Sequence, residues 1–577
     1  MPSCRNEPRQ ALAGAVAVLM LLMPMTARAQ LGPPVRLLPP APGTGPALPS
    51  PPPAPAATPA PQTDDSIRST PLTPVDPAWI GALPDSTQAL PASLWQGTPR
   101  SFVAAALPQL QPSTSPTLQS LAHRLLLSNA VAPPGQDPPD RSSLAALRVE
   151  RLIALGEIDG ALAVLDALPA ATHTDDLDHQ RVQLSFARND AEDGCRRVQQ
   201  DIGRYQGIWW DRALIACQAL AGDQAKATLG LSLLREQKAP PDAVFEALVA
   251  ALGGHAARIE KLPEPTPIVV TLMAAAKLPL PPEAVASADL ATLRAWAGNE
   301  AVPPLQRLAA AERAVSLGAL PAAALAGLYG KVEFKPEELG QAIKQGKSPA
   351  SPRDRALLFQ VARTDPVAAA RATALKALLA DARKREDFAA VARVVAPILA
   401  DLPAGEELAA FAPEAARALL AAGRADAAAP WLASVDPAQA PLLLGLMRLA
   451  SADGDTAALR EAAIAGAQRD AGRAALLLAL ADALGQPPSP ADWAPFIAAP
   501  AHGASLPSVA LWLDQEEAAS GRRLGETVLA TLILARQGEH LAGEPIILSR
   551  AVAALKAVGL ADDARALAVE AALAAGL

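Results

Sequence analysis

The chain has 577 residues, 51% of them hydrophobic but only 3% aromatic, and a formal net charge of −8. That length allows several domains or one long array. An acidic chain without basic blocks lacks the electrostatic footprint of a nucleic-acid or anionic-lipid binder, and apolar content carried by Ala and Leu favours helix over sheet. No stretch alternates with period two, so the expected class is all-α.

Residues 1–29 read as a secretory signal peptide. Arg5 and Arg9 supply the positive start, Ala11 to Met23 is a short apolar run, and Ala27-Arg28-Ala29 is a small-x-small cleavage site. Cleavage leaves Gln30 at the mature N-terminus. It removes Arg5, Arg9, Arg28 and Glu7, which moves the net charge from −8 to −10. An uncleaved anchor is the alternative, but the run is short for a spanning helix. No later segment is apolar enough to span a bilayer, so the expectation is a soluble protein, periplasmic in a Gram-negative cell. Residues 30–75 come next as a disordered linker. From Gln30 to Gln62 proline is the commonest residue and Arg36 the only charge, which gives extended chain without a core. A spacer is the plain reading; a Pro-rich ligand segment or a glycosylated stalk are the sharper ones.

Residues 76–142 gain apolar anchors, among them Trp79, Leu94, Trp95 and Phe102, and Leu118, Leu121, Leu125 and Leu126 mark an amphipathic helix. This segment is expected to cap the helices after it, because the end of a helical array must cover its apolar face.

Residues 143–237 carry the clearest pattern. Leu155-Gly156-Glu157-Ile158-Asp159-Gly160-Ala161, Arg188-Asn189-Asp190-Ala191-Glu192-Asp193-Gly194 and Ala221-Gly222-Asp223-Gln224-Ala225-Lys226-Ala227 each place Gly or Asn, then an acid, then a small residue five positions after the Gly or Asn. Gly156, Asn189 and Gly222 are evenly spaced along the chain. Gly and Asn tolerate the left-handed helix end, the acid suits the next helix N-terminus, and the small residue lets two helices approach. A helix–turn–helix unit at such a period predicts an α-solenoid of antiparallel hairpins. The turn resembles that of the tetratricopeptide (TPR) family, although the spacing is a residue short of the family's and no regular aromatic pattern accompanies it. The resemblance implies stacked helix pairs and a binding groove, and no chemistry. Similar turns at Gly318, Gly423 and Gly559, leading to Ala323, Ala428 and Ala564, are degenerate repeats or ordinary helix ends.

Residues 238–350 read as helices separated by prolines, with starts at Thr266-Pro267, Pro303-Pro304 and Lys335-Pro336. Residues 351–577 continue as Ala/Leu helices around a Pro-rich loop at 487–509 that holds Trp493, Phe496 and His502. The stretch Leu90-Pro91-Ala92-Ser93-Leu94-Trp95-Gln96-Gly97-Thr98, taken with the signal, linker and helical body, resembles uncharacterised predicted periplasmic proteins of Gram-negative bacteria. That likeness brings no activity with it.

Cys195 and Cys217 lie in one predicted hairpin, each eleven residues from Gln206 in its turn, and face each other across that antiparallel pair. In an oxidising compartment this predicts a disulfide; two free buried thiols are the alternative. Tyr205, Trp209 and Trp210 cluster in a chain poor in aromatics. They either pack between repeats or line a groove as partner-binding anchors. His173 and His179 flank Asp175, Asp176 and Asp178, but a six-residue separation puts the imidazoles on different helix faces, and an ordinary helix start explains the acids. No metal site or cofactor is expected. Catalytic fingerprints such as G-x-S-x-G, H-E-x-x-H or a Walker loop are absent, and Asp514, Glu516 and Glu517 read as a solvated face. The leading expectation is a periplasmic, non-enzymatic scaffold for a protein or peptide partner. The runner-up is a cell-envelope enzyme or glycan-binding protein with a site near residues 487–520; an acidic cleft with raised carboxyl pKa values would favour it.

Overall fold

Helix ends organise this chain. The computed structural model describes residues 76–83, 88–138, 142–342, 348–436, 440–451, 456–467, 470–496, 508–537 and 545–577; the expected signal peptide, the proline-rich linker and His502 lie outside them. Among the described residues there are 28 α-helices and no strand, and no helix is long and apolar enough to cross a membrane.

The N-terminal part holds α1 (Arg100–Ala106) and α2 (Pro116–Leu127). Ser115 caps α2 by accepting from Leu118 N, and Pro116 fills the first helical position, where its missing N–H costs nothing. Three hairpins come next: α3 (Leu144–Ala154) with α4 (Ile158–Ala167), α5 (Asp175–Ala187) with α6 (Ala191–Asp201), and α7 (Ile208–Leu220) with α8 (Gln224–Glu236).

Each hairpin turns by the same two hydrogen bonds. Gly156 N donates to Ile153 O and Glu157 N to Leu152 O, both at 2.9 Å, and equivalent pairs close the ends at Asn189 and Gly222. This is the Schellman arrangement, which needs one left-handed residue; φ is +78° at Gly156 and Gly222 and +62° at Asn189. Asp190 and Asp223 then cap the next helices from their side chains. The small residues expected at the crossing are all buried: Ala161, Gly194 and Ala227. A Cβ on Gly194 would stand 2.8 Å from the Phe186 ring, so the helices do meet there.

The middle of the chain holds α9 (Ala243–Leu252), α10 (Pro267–Ala275), α11 (Pro282–Ser287), α12 (Leu290–Gly298), α13 (Pro304–Ser316), α14 (Ala322–Lys331) and α15 (Pro336–Gln341). Beyond it come α16 (Pro352–Thr364), α17 (Ala368–Lys384), α18 (Phe388–Asp401), α19 (Ala412–Ala421), α20 (Ala425–Leu432), α21 (Pro441–Ala450), α22 (Thr456–Ala467) and α23 (Ala471–Ala483). The last are α24 (Pro490–Trp493), α25 (Val509–Ser520), α26 (Leu524–Gln537), α27 (Pro545–Ala557) and α28 (Ala561–Ala574).

The same Schellman pair recurs at Gly318, Gly423 and Gly559. Ala428 and Ala564 are fully buried at the crossing position, whereas Ala323 is exposed, so Gly318 ends its helix without a close crossing. The pair also forms at Lys238, Lys277, Glu386 and Arg522, which take positive φ without being glycine. The step from Glu386 to Gly423 equals the step from Gly485 to Arg522 and that from Arg522 to Gly559.

Helices that follow one another in sequence pack side by side, which makes the protein a helical repeat-like array. Some contacts leave that pattern. α5 packs on α10 and α12, and α2 packs not only on α3 but on α26 and α28 near the other end of the chain. Arg148 ties the N-terminal segment to the first hairpin through the carbonyls of Leu126 (2.5 Å), Ala78 (2.9 Å) and Ser128 (2.7 Å). On its other side, Glu570 of α28 takes the Ser115 hydroxyl, the Thr117 N–H at 3.0 Å and the Thr117 hydroxyl at 2.7 Å. Arg124 reaches both oxygens of Asp563 at 2.8 Å, and Gly525 N donates to Leu94 O at 2.9 Å. The described residues of this N-terminal part therefore contact both the first hairpin and the final helices.

Candidate partner-binding corner

The aromatic residues singled out in the sequence lie where α5, α6 and α7 meet. Thr174 caps α5, and Asp175, Asp176 and Asp178 fill its first turn, where the helix dipole favours acids. Asp178 is almost wholly buried and collects donors. His173 Nδ1 lies 2.6 Å from Oδ1, while the Tyr205 hydroxyl donates to Oδ2 at 2.8 Å and Arg204 reaches it at 3.4 Å. A buried carboxylate persists only with such partners. Burial, and then the hydrogen bond to Asp178, pushes the Tyr205 hydroxyl up to about 12. Burial and the nearby Asp178 charge also raise the Asp201 carboxyl.

The aromatic rings are fastened to the same helix start. Trp210 is 2% exposed and donates from Nε1 to Asp175 Oδ1 at 2.6 Å. It stacks on Tyr205 at 5.5 Å and meets Trp209 edge-on at 4.8 Å. Trp209 is half-buried and lies under His179, ring centroids 3.7 Å apart. Burial lowers the His179 pKa, against the pull of Asp175 and Asp176. Trp210 thus belongs to the core, and only Tyr205 and Trp209 retain partial exposure. His173 and His179 go to different neighbours, Asp178 and Trp209.

A second polar chain runs beside the first. Asp166 of α4 takes Arg181 at 2.6 Å and Arg197 at 3.0 Å, and Asp193 takes Arg197 and the Ser185 hydroxyl, both at 2.6 Å. The Cα atoms of Cys195 on α6 and Cys217 on α7 lie 5.4 Å apart, at disulfide distance. Because the hairpin turns fall at Asn189 and Gly222, this pair joins the second hairpin to the third. It does not close a single one.

The outward surface next to this corner is absent from the sequence expectations. On α8, Leu229 is 60% exposed and Leu233 47%; four residues apart, they share a face. On the opposite side of α8, a hollow of ≈ 140 Å³ is lined by Leu231, Leu234, Phe245 and Pro240 among others, from α7, α8 and α9. Arg235–Glu246 (2.5 Å) and Arg212–Asp242 (3.7 Å) flank it. One signal could have found this face. Leu229, Leu231, Leu233 and Leu234 spread round α8, more apolar surface than one buried stripe needs.

In the region favoured by the runner-up reading, burial and then Glu526 push the Asp514 carboxyl up to about 6. Asp514 Oδ2 is buried without a hydrogen-bond partner among the described residues. Glu526 is buried under Arg523, at 2.8 Å and 3.1 Å. Glu516 is an exposed partner of Arg550, and Glu517 is exposed. Trp493 and Phe496 meet edge-on at 6.4 Å. The hollow under α8 and the cleft of ≈ 220 Å³ between α19 and α28 are lined by other residues.

These features define a class: an all-α, helical repeat-like protein with a pinned, aromatic-rich corner and an apolar outer helix beside it. Comparison with protein-family models, curated proteins and solved structures finds no match.

Proposed function

We propose that the protein is an exported, non-enzymatic scaffold of the periplasm, a TPR-like solenoid of helix hairpins that binds a protein or peptide partner. The observation that carries this reading is the outward Leu229–Leu233 face of α8, since exposed apolar surface on one helix face marks interaction sites. Half-buried Tyr205 and Trp209, just before α7 and on its first turn, are the other candidate partner-binding residues. The corner around Tyr205 and Trp209 is held by Asp178 and by the cysteine pair between α6 and α7, which limits the ordering cost of binding there.

The test is capture of the tagged protein after mild crosslinking in its own periplasm, followed by mass spectrometry. A reproducible partner should vanish with the double change Leu229→Ser, Leu233→Ser and weaken with Trp209→Ala. A partner set that survives both changes would place binding elsewhere. The second reading, an envelope-glycan enzyme or binder, has the raised Asp514 carboxyl but neither the hollow nor the cleft described above to go with it. It predicts glycan turnover or binding that Asp514→Asn abolishes.

A further inference from the structure

A buried ion network joins the middle of the chain to its C-terminal part. Glu312 of α13 accepts from Arg355 of α16 at both oxygens, Nε to Oε1 at 2.8 Å and a terminal nitrogen to Oε2 at 2.7 Å. It also accepts the Tyr329 hydroxyl of α14 at 2.7 Å. Arg355 reaches on to Asp381 of α17 at 3.5 Å, and the same Asp381 oxygen takes Arg385 Nε at 2.9 Å. Arg385 then pairs with Asp387, the residue before α18, at 2.5 Å. Glu312, Arg355, Asp381 and Asp387 are all buried.

The formal charges do not balance. Three carboxylates face two guanidiniums, so the fully ionised network holds one negative charge too many in a setting where an unpaired charge is costly. One proton removes the excess. The oxygens of Glu312 are occupied by three donors, and Asp381 shares two arginines. Asp387 has a single arginine on Oδ2, and its buried Oδ1 has no hydrogen-bond partner among the described residues. The proton belongs there.

We propose that Asp387 is the proton site of a pH-responsive joint, which is locked across α13, α14, α16, α17 and α18 when Asp387 is protonated and loosened when it is ionised. Burial pushes the Asp387 carboxyl up to about 6, with Glu312 and Asp381 adding to the rise and Arg385 and Arg355 opposing it. The charged groups that face it are thus Arg385, Asp381 from α17, Glu312 from α13 and Arg355 from α16, with the Tyr329 hydroxyl reaching Glu312 from α14. On α19, Glu414 is engaged by Arg383; on α18 itself, Arg393 lies near Glu570. A folded-state pKa above the unfolded value of 3.8 means that the native state holds the proton longer. The stability it contributes is full below about pH 4 and is lost as pH rises through about 6.

Hydrogen exchange of the full chain, followed by mass spectrometry and corrected for the intrinsic pH dependence of exchange, tests this at pH 5 and pH 7.5. In the wild type, peptides from α16 to α18 should open about tenfold more often at pH 7.5. Asp387→Asn, neutral and nearly isosteric, should remove that step and leave the joint protected at both pH values. Asp514→Asn, which alters the other carboxyl raised to about 6, should leave the step in α16–α18 intact. A wild type with no step in these peptides overturns the proposal whatever the variants do, and so does a step that persists in Asp387→Asn.

Discussion

Two buried aspartates set the corner and the joint apart. Asp178 is 1% exposed and Asp387 8%, so burial alone does not separate them. Asp178 has a histidine, a tyrosine and an arginine on its two oxygens. Asp387 has one shared arginine and an oxygen left over. The number of donors supplied by neighbouring helices decides what a buried carboxylate can do. A well-supplied one is a fastener, whereas an under-supplied one is a place for a proton.

Removing partners tests that comparison. Arg355→Leu should have the largest effect, about 4 kcal/mol in urea unfolding, because it strands Glu312 and leaves three buried carboxylates with one guanidinium. Asp178→Ala should cost less, about 3 kcal/mol by the same measurement, since Arg204 is largely exposed and can turn to water. A larger loss at Asp178 than at Arg355 would reverse the ranking and show that the corner holds the fold more than the joint does. Opening the Cys195–Cys217 link with Cys→Ser at both positions should also cost about 3 kcal/mol. Mass analysis of unreduced peptides should find the two cysteines linked, and free thiols at both would end that expectation. Gly194→Ala forces a methyl group against the Phe186 ring and should destabilise by about 2 kcal/mol. The smallest effect on stability, below about 0.5 kcal/mol, is expected for Leu229→Ser on the exposed face of α8, while partner capture weakens. A large stability loss there would mean that the leucine is packed, not presented.

Where the chain reverses is readable only in part. Gly156, Asn189 and Gly222 announce their turns because Gly and Asn accept positive φ at little cost. Lys238, Lys277, Glu386 and Arg522 adopt the same backbone, yet nothing in those residue types signals it. Each is held by the paired hydrogen bonds that close its helix end. Two such turns belong to the equal steps Glu386–Gly423 and Gly485–Arg522–Gly559, which therefore stay hidden in a glycine search. The cysteine pair is readable because one antiparallel pair of helices brings the two residues face to face. The aromatic cluster is readable too, but the division between buried Trp210 and half-exposed Trp209 is not, since it depends on which ring Asp175 captures.

Composition, periodicity and helix-end chemistry determined by themselves that this is an all-α chain, with evenly spaced turns at Gly156, Asn189 and Gly222. These are local properties, fixed by a few adjacent residues and the backbone hydrogen bonds they permit. Tertiary structure alone decided that α2 lies against both the first hairpin and α28. It also decided that Glu312, Arg355, Asp381 and Asp387, drawn from α13, α16, α17 and the start of α18, share one buried network with an oxygen to spare. Such outcomes depend on distances between helices far apart in sequence, and no local pattern carries those distances.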